Sequence, residues 1–383
     1  MITLSLILIA ASCLVIWRSS HGFEVASDYL GRKLPPGIKG ATLNAIASSM
    51  PEFLTTLFFL FYLKDAEGFS GGLGVTSGSA LFNLLIIPAL AVLILFSAGK
   101  GRRIKLKKRV LLREGIVLIL SQIVFVNFLF SGELNAIHGL ALVVIYLLYL
   151  MMLFGITRSY RGGDPGFHSP REKVRSSIWK RSLTLNITHL ILNDRQISPW
   201  RAWVLLAAST LVMTFGTWLL VFATDTFGHQ TGIPLIFVAV VLSAAATSVP
   251  DTIISVKDAQ KGNYDDAVSN ALGSNIFDIA FALGLPVMLF TLIQDQAMVL
   301  ENKVLVFTQE VWVFLLLATV LALLIMLIGR YFNRVKAFLL LGIYLLFLVF
   351  VATQVGGEGW QELGRPMANF LKEVAIWIGQ QLH

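Results

Sequence analysis

An all-α polytopic membrane protein, with about ten transmembrane helices in two inverted-topology five-helix repeats, is the fold class this sequence predicts. Three observations lead there. Of 383 residues, 56% are hydrophobic and only 14% are charged, against roughly 25% charged in an ordinary soluble domain. The apolar residues fall into ten long runs, and a helix needs roughly 20 such residues to cross a bilayer. One short motif occurs in both halves of the chain. The composition excludes a soluble enzyme. The continuity of the runs argues against a transmembrane barrel, whose strands alternate.

The first half, 1–157, holds runs at 1–17, 38–63, 72–98, 114–131 and 134–157. The second, 201–353, holds runs at 201–224, 231–256, 266–291, 308–329 and 335–353. The first run has no basic residues ahead of it and is followed by Arg18, the reverse of a cleaved signal peptide. It reads as a retained span with its N-terminus outside. The linker 158–200 is polar and basic, contains Gly162-Gly163-Asp164-Pro165, and is expected to carry a short amphipathic helix near 183–192. In the tail, 354–383, Phe370, Leu371, Val374, Trp377, Ile378 and Leu382 recur at helical spacing. This pattern suits a helix on the outer membrane surface, or one packed on the bundle.

The formal net charge is +8, and its distribution explains it. With ten spans, 26 of the 30 Lys and Arg residues fall on one side, most of them in 99–113 and 158–201. Basic residues near span ends stay cytoplasmic. Both termini are therefore expected outside, in a membrane such as the bacterial inner membrane, and no nucleic-acid partner is expected. Contact with anionic lipid is the other use of such loops. Cys13 is the single cysteine, and the six histidines show no metal-binding spacing, so no disulfide framework and no zinc site are expected.

The repeat carries the functional information. Ala47-Ser48-Ser49-Met50-Pro51-Glu52 in the second run matches Ala246-Thr247-Ser248-Val249-Pro250-Asp251 in the seventh, at an offset of 199. Gly78-Ser79-Ala80-Leu81-Phe82-Asn83 in the third matches Gly273-Ser274-Asn275-Ile276-Phe277-Asp278 in the eighth, at an offset of 195. The loop 64–71 falls outside and the turn 257–265 inside, so the copies enter the membrane in opposite directions. Inverted repeats of this kind build secondary transporters with a site near the midplane.

Glu52, Asp251 and Asp278 lie deep in apolar runs, and no Lys or Arg lies at comparable depth. A charge at the bilayer centre costs at least ~2.5–3.5 kcal/mol on insertion scales. A bound cation is the available partner. Pro51 and Pro250 are expected to break their helices and free carbonyls for a cavity. Ser48, Ser49, Ser79, Thr247, Ser248 and Ser274 add hydroxyl oxygens, and Gly78 and Gly273, expected to break their helices as the prolines do, permit close helix approach. Oxygen donors of this sort suit Ca²⁺ and alkali ions. Simpler readings stand beside these. A buried carboxyl can be protonated, Asn83 and Asn44 can be interhelical glue, and the hydroxyls can bond back to their own helices. Glu114, Glu133, Asp225, Asp265 and Asp266 sit at run ends and read as solvated caps.

These motifs resemble the two alpha repeats, about 40–90 and 240–290, of the calcium/cation antiporter superfamily. The resemblance is greatest to the sodium/calcium exchangers and, within them, to the potassium-dependent branch. It implies Glu52 and Asp251 as paired Ca²⁺ ligands that Na⁺ shares, and Asn83 and Asp278 as a facing polar pair. The six hydroxyls would complete the ion shells. An Asp at the Asp278 position is tied to potassium in that branch, although some potassium-independent prokaryotic exchangers share it. Val75 stands where the second repeat has Asn270, without the acidic residue that usually precedes it, and Ala47 and Ala246 replace a common Gly. The implied function is Na⁺/Ca²⁺ antiport by alternating access, with K⁺ co-transport left open. The alternatives are a Ca²⁺/H⁺ antiporter of the same superfamily and, further off, an intramembrane protease or a cation sensor. No enzymatic activity, cofactor or obligate protein partner is expected. The partners are inorganic cations and the lipid bilayer.

Overall fold

A computed structural model describes residues 2–32, 40–64, 66–97, 104–157, 187–192, 197–300, 302–356 and 358–382, almost all of them helical. The first half supplies α1 (Ile2–Leu30), α2 (Thr42–Leu63), α3 (Glu67–Ser97), α4 (Lys108–Phe130) and α5 (Ala136–Thr157). A short α6 (Ile187–Leu192) comes from the linker. The second half supplies α7 (Pro199–Thr231), α8 (Leu235–Thr247), α9 (Val249–Gln260), α10 (Tyr264–Gln294), α11 (Asn302–Leu327) and α12 (Arg334–Val355). Helix α13 (Glu358–Leu382) follows. Among the described residues, nine helices are long and apolar enough to cross a membrane, and α8 and α9, bent by 41°, together form a tenth.

Loop contacts fix the direction of the helices. At one end Ile104 pairs with Phe332 through the backbone, Lys107 Nζ sits 3.0 Å from Asp265, and Lys257 Nζ lies 3.7 Å from Glu24. At the other end β1 (Glu133–Leu134) pairs antiparallel with β2 (Met298–Val299). Consecutive spans thus alternate, and the described basic segments gather at one end.

The two halves pack helix against equivalent helix. Helices α3 and α10 cross where Asn275 Nδ2 donates to the Ala80 carbonyl at 2.8 Å. These residues are equivalent at the 195 offset, so the crossing lies on the pseudo-two-fold axis, as self-complementary packing requires. Helices α4 and α11 meet through Phe125 and Trp312, with ring centroids 4.2 Å apart, and through Gln122 Nε2 donating to Thr319 Oγ1 at 2.8 Å. Helices α1 and α7 form a third pair. Most of their buried apolar residues, including Ile16, Leu205 and Leu220, form small clusters separate from the main core, which Val221 of α7 joins. That main core joins α2–α5 to α8 and α10–α12.

Two of the differences from the apolar runs have a visible physical cause. Helix α1 continues to Leu30, because Ser19 and Ser20 return their hydroxyls to the Ile16 carbonyl at 3.0 and 2.7 Å, and Val25 and Ala26 are buried beside α6 and α7. The stretch expected as a 64–71 loop is helical from Ala66. Its glycines are a packing surface instead: a Cβ at Gly68 would lie 2.3 Å from the Phe59 carbonyl. In the linker, 158–186 and 193–196 lie outside the described residues, and α6 buries Ile187 and Leu192 against α1 and α7. Helix α13 buries Leu371 and Ala375 and leaves Phe370 and Trp377 exposed.

Candidate functional site

The site lies where α2 and the α8–α9 break meet α3 and α10. Each half prepares it with matched departures from α-helical winding. A π-helical turn at Gly40–Asn44 precedes the α2 motif, and its counterpart at Ala239–Ser243 precedes the α8 motif, at the same 199 offset. Further π-helical turns start at Phe82 and Asp278, so Asn83 and Asp278 each sit at one. Such turns widen the helix and gather at functional sites. The close approach comes from glycine: a Cβ on Gly78 would lie 2.1 Å from the Val240 carbonyl and 2.7 Å from the Ala244 Cβ. Gly273, its counterpart, is buried in α10.

The sequence-predicted residues converge, and all ten side chains are fully buried. Ser79 Oγ donates to Glu52 Oε1 at 3.0 Å, and its counterpart Ser274 Oγ donates to Asp251 Oδ1 at 2.7 Å. The halves also interlock. Asn83 Nδ2 donates to Asp251 Oδ2 at 3.2 Å and to Asp278 Oδ2 at 3.5 Å. Ser79 and Ser248 share a hydrogen bond of 2.8 Å, and Ser48 and Ser274 one of 3.4 Å. Ser248 Oγ lies 3.5 Å from Glu52 Oε1, and Ser79 Oγ lies 3.4 Å from Asp278 Oδ2. Ser48 faces Asp251 and the equivalent Thr247 faces Glu52, while both hydroxyls bond back to their own helices, to Asn44 and Ala244 carbonyls at 2.8 and 3.1 Å.

The cluster has more acceptors than donors. Glu52 Oε2, Asp278 Oδ1, Asn83 Oδ1 and Ser49 Oγ are buried without a hydrogen-bond partner. Buried polar atoms are normally paired. Among the described residues no Lys or Arg is buried, so three carboxyl groups stand without a cationic side chain. This donor set of carboxylate, amide and hydroxyl oxygens fits a hard cation as cargo.

Three expectations are corrected. Pro51 lies inside a continuous α-helix, Ala45–Phe58, because a proline removes one N–H without displacing its neighbours from helical dihedrals here. Gly78 and Gly273 likewise lie within unbroken helix. Only the Pro250 copy is at a break, where Ser248 takes φ −78° and ψ 0° and the axis bends. Glu114 is not a solvated cap. It is fully buried in α4 and bonded to Arg113, to the Tyr149 hydroxyl and to Ser269 Oγ, the last at 3.4 Å.

Asn270 belongs to the cluster and was absent from the predicted ligands. Its Nδ2 donates to Asp251 Oδ1 at 3.3 Å and to Ser255 Oγ at 3.2 Å, and its Oδ1 has no partner. The signal was present in its mismatch with Val75. Thr55 and Thr56, one turn beyond Glu52, are also buried with unpartnered hydroxyls. No motif marked them.

Inverted five-helix halves around a buried carboxylate cluster define a secondary-transporter architecture. The comparisons with known proteins narrow the class. The family described as sodium/calcium exchanger protein matches residues 4–155 and 201–353, so the chain belongs to that family, which is one of exchangers and not of enzymes. Human sodium/potassium/calcium exchanger 3 is 35% identical over 132 residues, which are 34% of this chain and 20% of that protein. The match thus spans about a fifth of that relative's length. Inner membrane protein YrbG of Escherichia coli strain K12 is 26% identical over 293 residues, covering 76% of this chain and 81% of YrbG. Among solved structures, the H⁺/Ca²⁺ exchanger CAX superposes with a TM-score of 0.71 at 14% identity, covering 98% of this chain and 87% of CAX. The sodium-calcium exchanger NCX_Mj gives a TM-score of 0.57 at 20% identity, covering 90% of this chain and 98% of that one. At these identities the structural likeness establishes the fold.

Proposed function

We propose that the protein exchanges Na⁺ for Ca²⁺ across the membrane by alternating access, with Glu52 and Asp251 as the shared Ca²⁺ ligands. The observation that carries this reading is the joining of Glu52, Asp251 and Asp278, from opposite halves, in one buried cluster with unpartnered acceptor oxygens. Asn83, Asp278, Ser48, Ser49, Ser79, Thr247, Ser248 and Ser274 complete the ion shells. Three ionised carboxylates cannot cross the bilayer unneutralised. Three Na⁺, or one Ca²⁺ with a proton or a K⁺, neutralise them, and an empty cluster does not, so competition for one site enforces exchange. Each ion shifts the inward–outward equilibrium only through its differential affinity for the two states. The α1–α7 pair, packed through its own small clusters, is the element that moves against the main core. The bacterial inner membrane, basic segments inward and termini outward, is the proposed setting. The basic-residue asymmetry and the likeness to an inner membrane protein support it.

The test is ⁴⁵Ca²⁺ uptake into proteoliposomes loaded with Na⁺, with and without K⁺, with Glu52→Gln and Asp251→Asn controls. Sodium-driven uptake lost in both variants supports the reading, and K⁺ dependence adds co-transport. Uptake driven by a pH gradient and indifferent to Na⁺ replaces it with Ca²⁺/H⁺ antiport. No flux under either gradient, from folded protein, overturns calcium exchange.

A further inference from the structure

At the end of the bundle opposite the basic segments, a cavity of about 360 Å³ is lined by Glu67 of α3, Asp225 and His229 of α7, Leu235 of α8 and Lys303 of α11. Asp225 and His229 are four residues apart and share one helix face. His229 Nε2 lies 3.3 Å from Asp225 Oδ1 and 4.0 Å from Glu67 Oε2. One ligand atom from each of the three lies within 4.8 Å of the other two. Zinc bonds of ~2.0–2.2 Å in a tetrahedron place ligand atoms about 3.4 Å apart. The observed spacings reach that value by small rotations, and the Glu67 and His229 side chains have freedom to make them, being 59% and 67% exposed. Lys303 is exposed, and its long stem lets the ammonium swing clear.

The geometry points to a second metal site, for a first-row transition ion such as Zn²⁺, held by Glu67, Asp225 and His229. Its chemistry differs from that of the cargo cluster. An imidazole nitrogen favours Zn²⁺, Cu²⁺ and Ni²⁺, whereas Ca²⁺ and the alkali ions prefer oxygen alone. Its position gives it a consequence. Two ligands ride on α7, which packs with α1 mainly through small clusters apart from the main core and joins that core at Val221, and the third belongs to α3, which lies within it. A bound ion ties the moving pair to the core and inhibits transport. This consequence rests on the exchange reading above. The binding itself does not.

Two measurements on the full chain separate them. Zn²⁺ binding to purified wild-type protein, measured against a competing chelator, is expected at one tight ion per chain. His229→Gln and Asp225→Asn are expected to weaken it by at least about tenfold, a minimum for losing a ligand when outer-shell changes alone cost ~10–100-fold. Asp251→Asn leaves it unchanged. In proteoliposomes, Zn²⁺ is expected to inhibit wild-type flux reversibly, with half-inhibition shifted by the same factor in His229→Gln, whose flux without Zn²⁺ stays near wild type. Equal Zn²⁺ affinity in wild type and His229→Gln, or binding lost in Asp251→Asn instead, overturns the site and leaves an ordinary surface ion pair. Site-specific binding without any Na⁺- or H⁺-driven flux upholds the site and counts against the exchange reading.

Discussion

The two halves share a backbone plan and dress their carboxylates unequally. Asp251 accepts from Ser274 at 2.7 Å, Asn83 at 3.2 Å and Asn270 at 3.3 Å, so both its oxygens are held. Glu52 accepts from Ser79 at 3.0 Å, lies 3.5 Å from Ser248, and leaves Oε2 without a partner. The serines are equivalent and make equivalent bonds. The difference comes from two positions: Asn83 donates to Asp251 Oδ2 where its counterpart Asp278 is an acceptor, and Asn270 adds a second donor to Oδ1 where Val75 offers none. The helix paths differ in the same sense, since α2 runs straight through Pro51 while the chain bends at Ser248. A pseudo-two-fold pair of helices therefore need not give a two-fold site: one carboxylate is preorganised and the other has a vacant oxygen.

The largest effects are expected at the carboxylates. Glu52→Gln and Asp251→Asn should each weaken Ca²⁺ binding by at least about 100-fold, or about 2.7 kcal/mol, read by calorimetry or flux. Asp251→Asn should be the worse of the two, because its amide group confronts donors already aimed at that position. Equal losses would erase the asymmetry argued above.

Gly78→Ala tests the crossing on which both halves depend. Its Cβ would meet the Val240 carbonyl, and overpacking of this kind costs about 1–3 kcal/mol. A lower melting temperature in detergent and loss of most flux are expected.

Asn270→Val gives the second half the first half's residue at this position. A hydrogen bond to a charged group contributes about 1.5–3 kcal/mol, so roughly tenfold weaker Ca²⁺ binding is expected. The reciprocal Val75→Asn should change affinity severalfold in the opposite direction if its amide reaches the open side of Glu52. If both variants bind like wild type, Asn270 does not distinguish the halves.

The smallest transport effect is expected from Glu114→Gln. Glu114 braces α4 against Tyr149 of α5 and Ser269 of α10, next to Asn270. Weakening these bonds should lower stability by about 1–3 kcal/mol and leave Na⁺-driven flux within a fewfold of wild type. An effect on Ca²⁺ affinity as large as that of Asn270→Val would show that the brace positions the second half's ligands.

Much of this protein was legible in the sequence because its signals are local. Apolar runs of bilayer length specify membrane helices whatever surrounds them, since unsatisfied backbone groups cannot face lipid. The duplicated motifs gave the pairing of halves and picked out Glu52, Asn83, Asp251 and Asp278, because a carboxylate in an apolar run is expensive wherever the run packs. Tertiary structure decided the rest. Glu114 looks like a cap at the edge of its run, and only Tyr149 and Ser269, brought in by α5 and α10, bury it. Pro51 and Pro250 sit in matching motifs, yet only one adjoins a bend. Glu67 is remote in sequence from Asp225 and His229 and joins them only where α3 and α7 end beside one cavity. Whether a polar residue is a cap, a brace or a ligand depends on the helix opposite, and the neighbour across a helix interface is set by packing, not by local sequence.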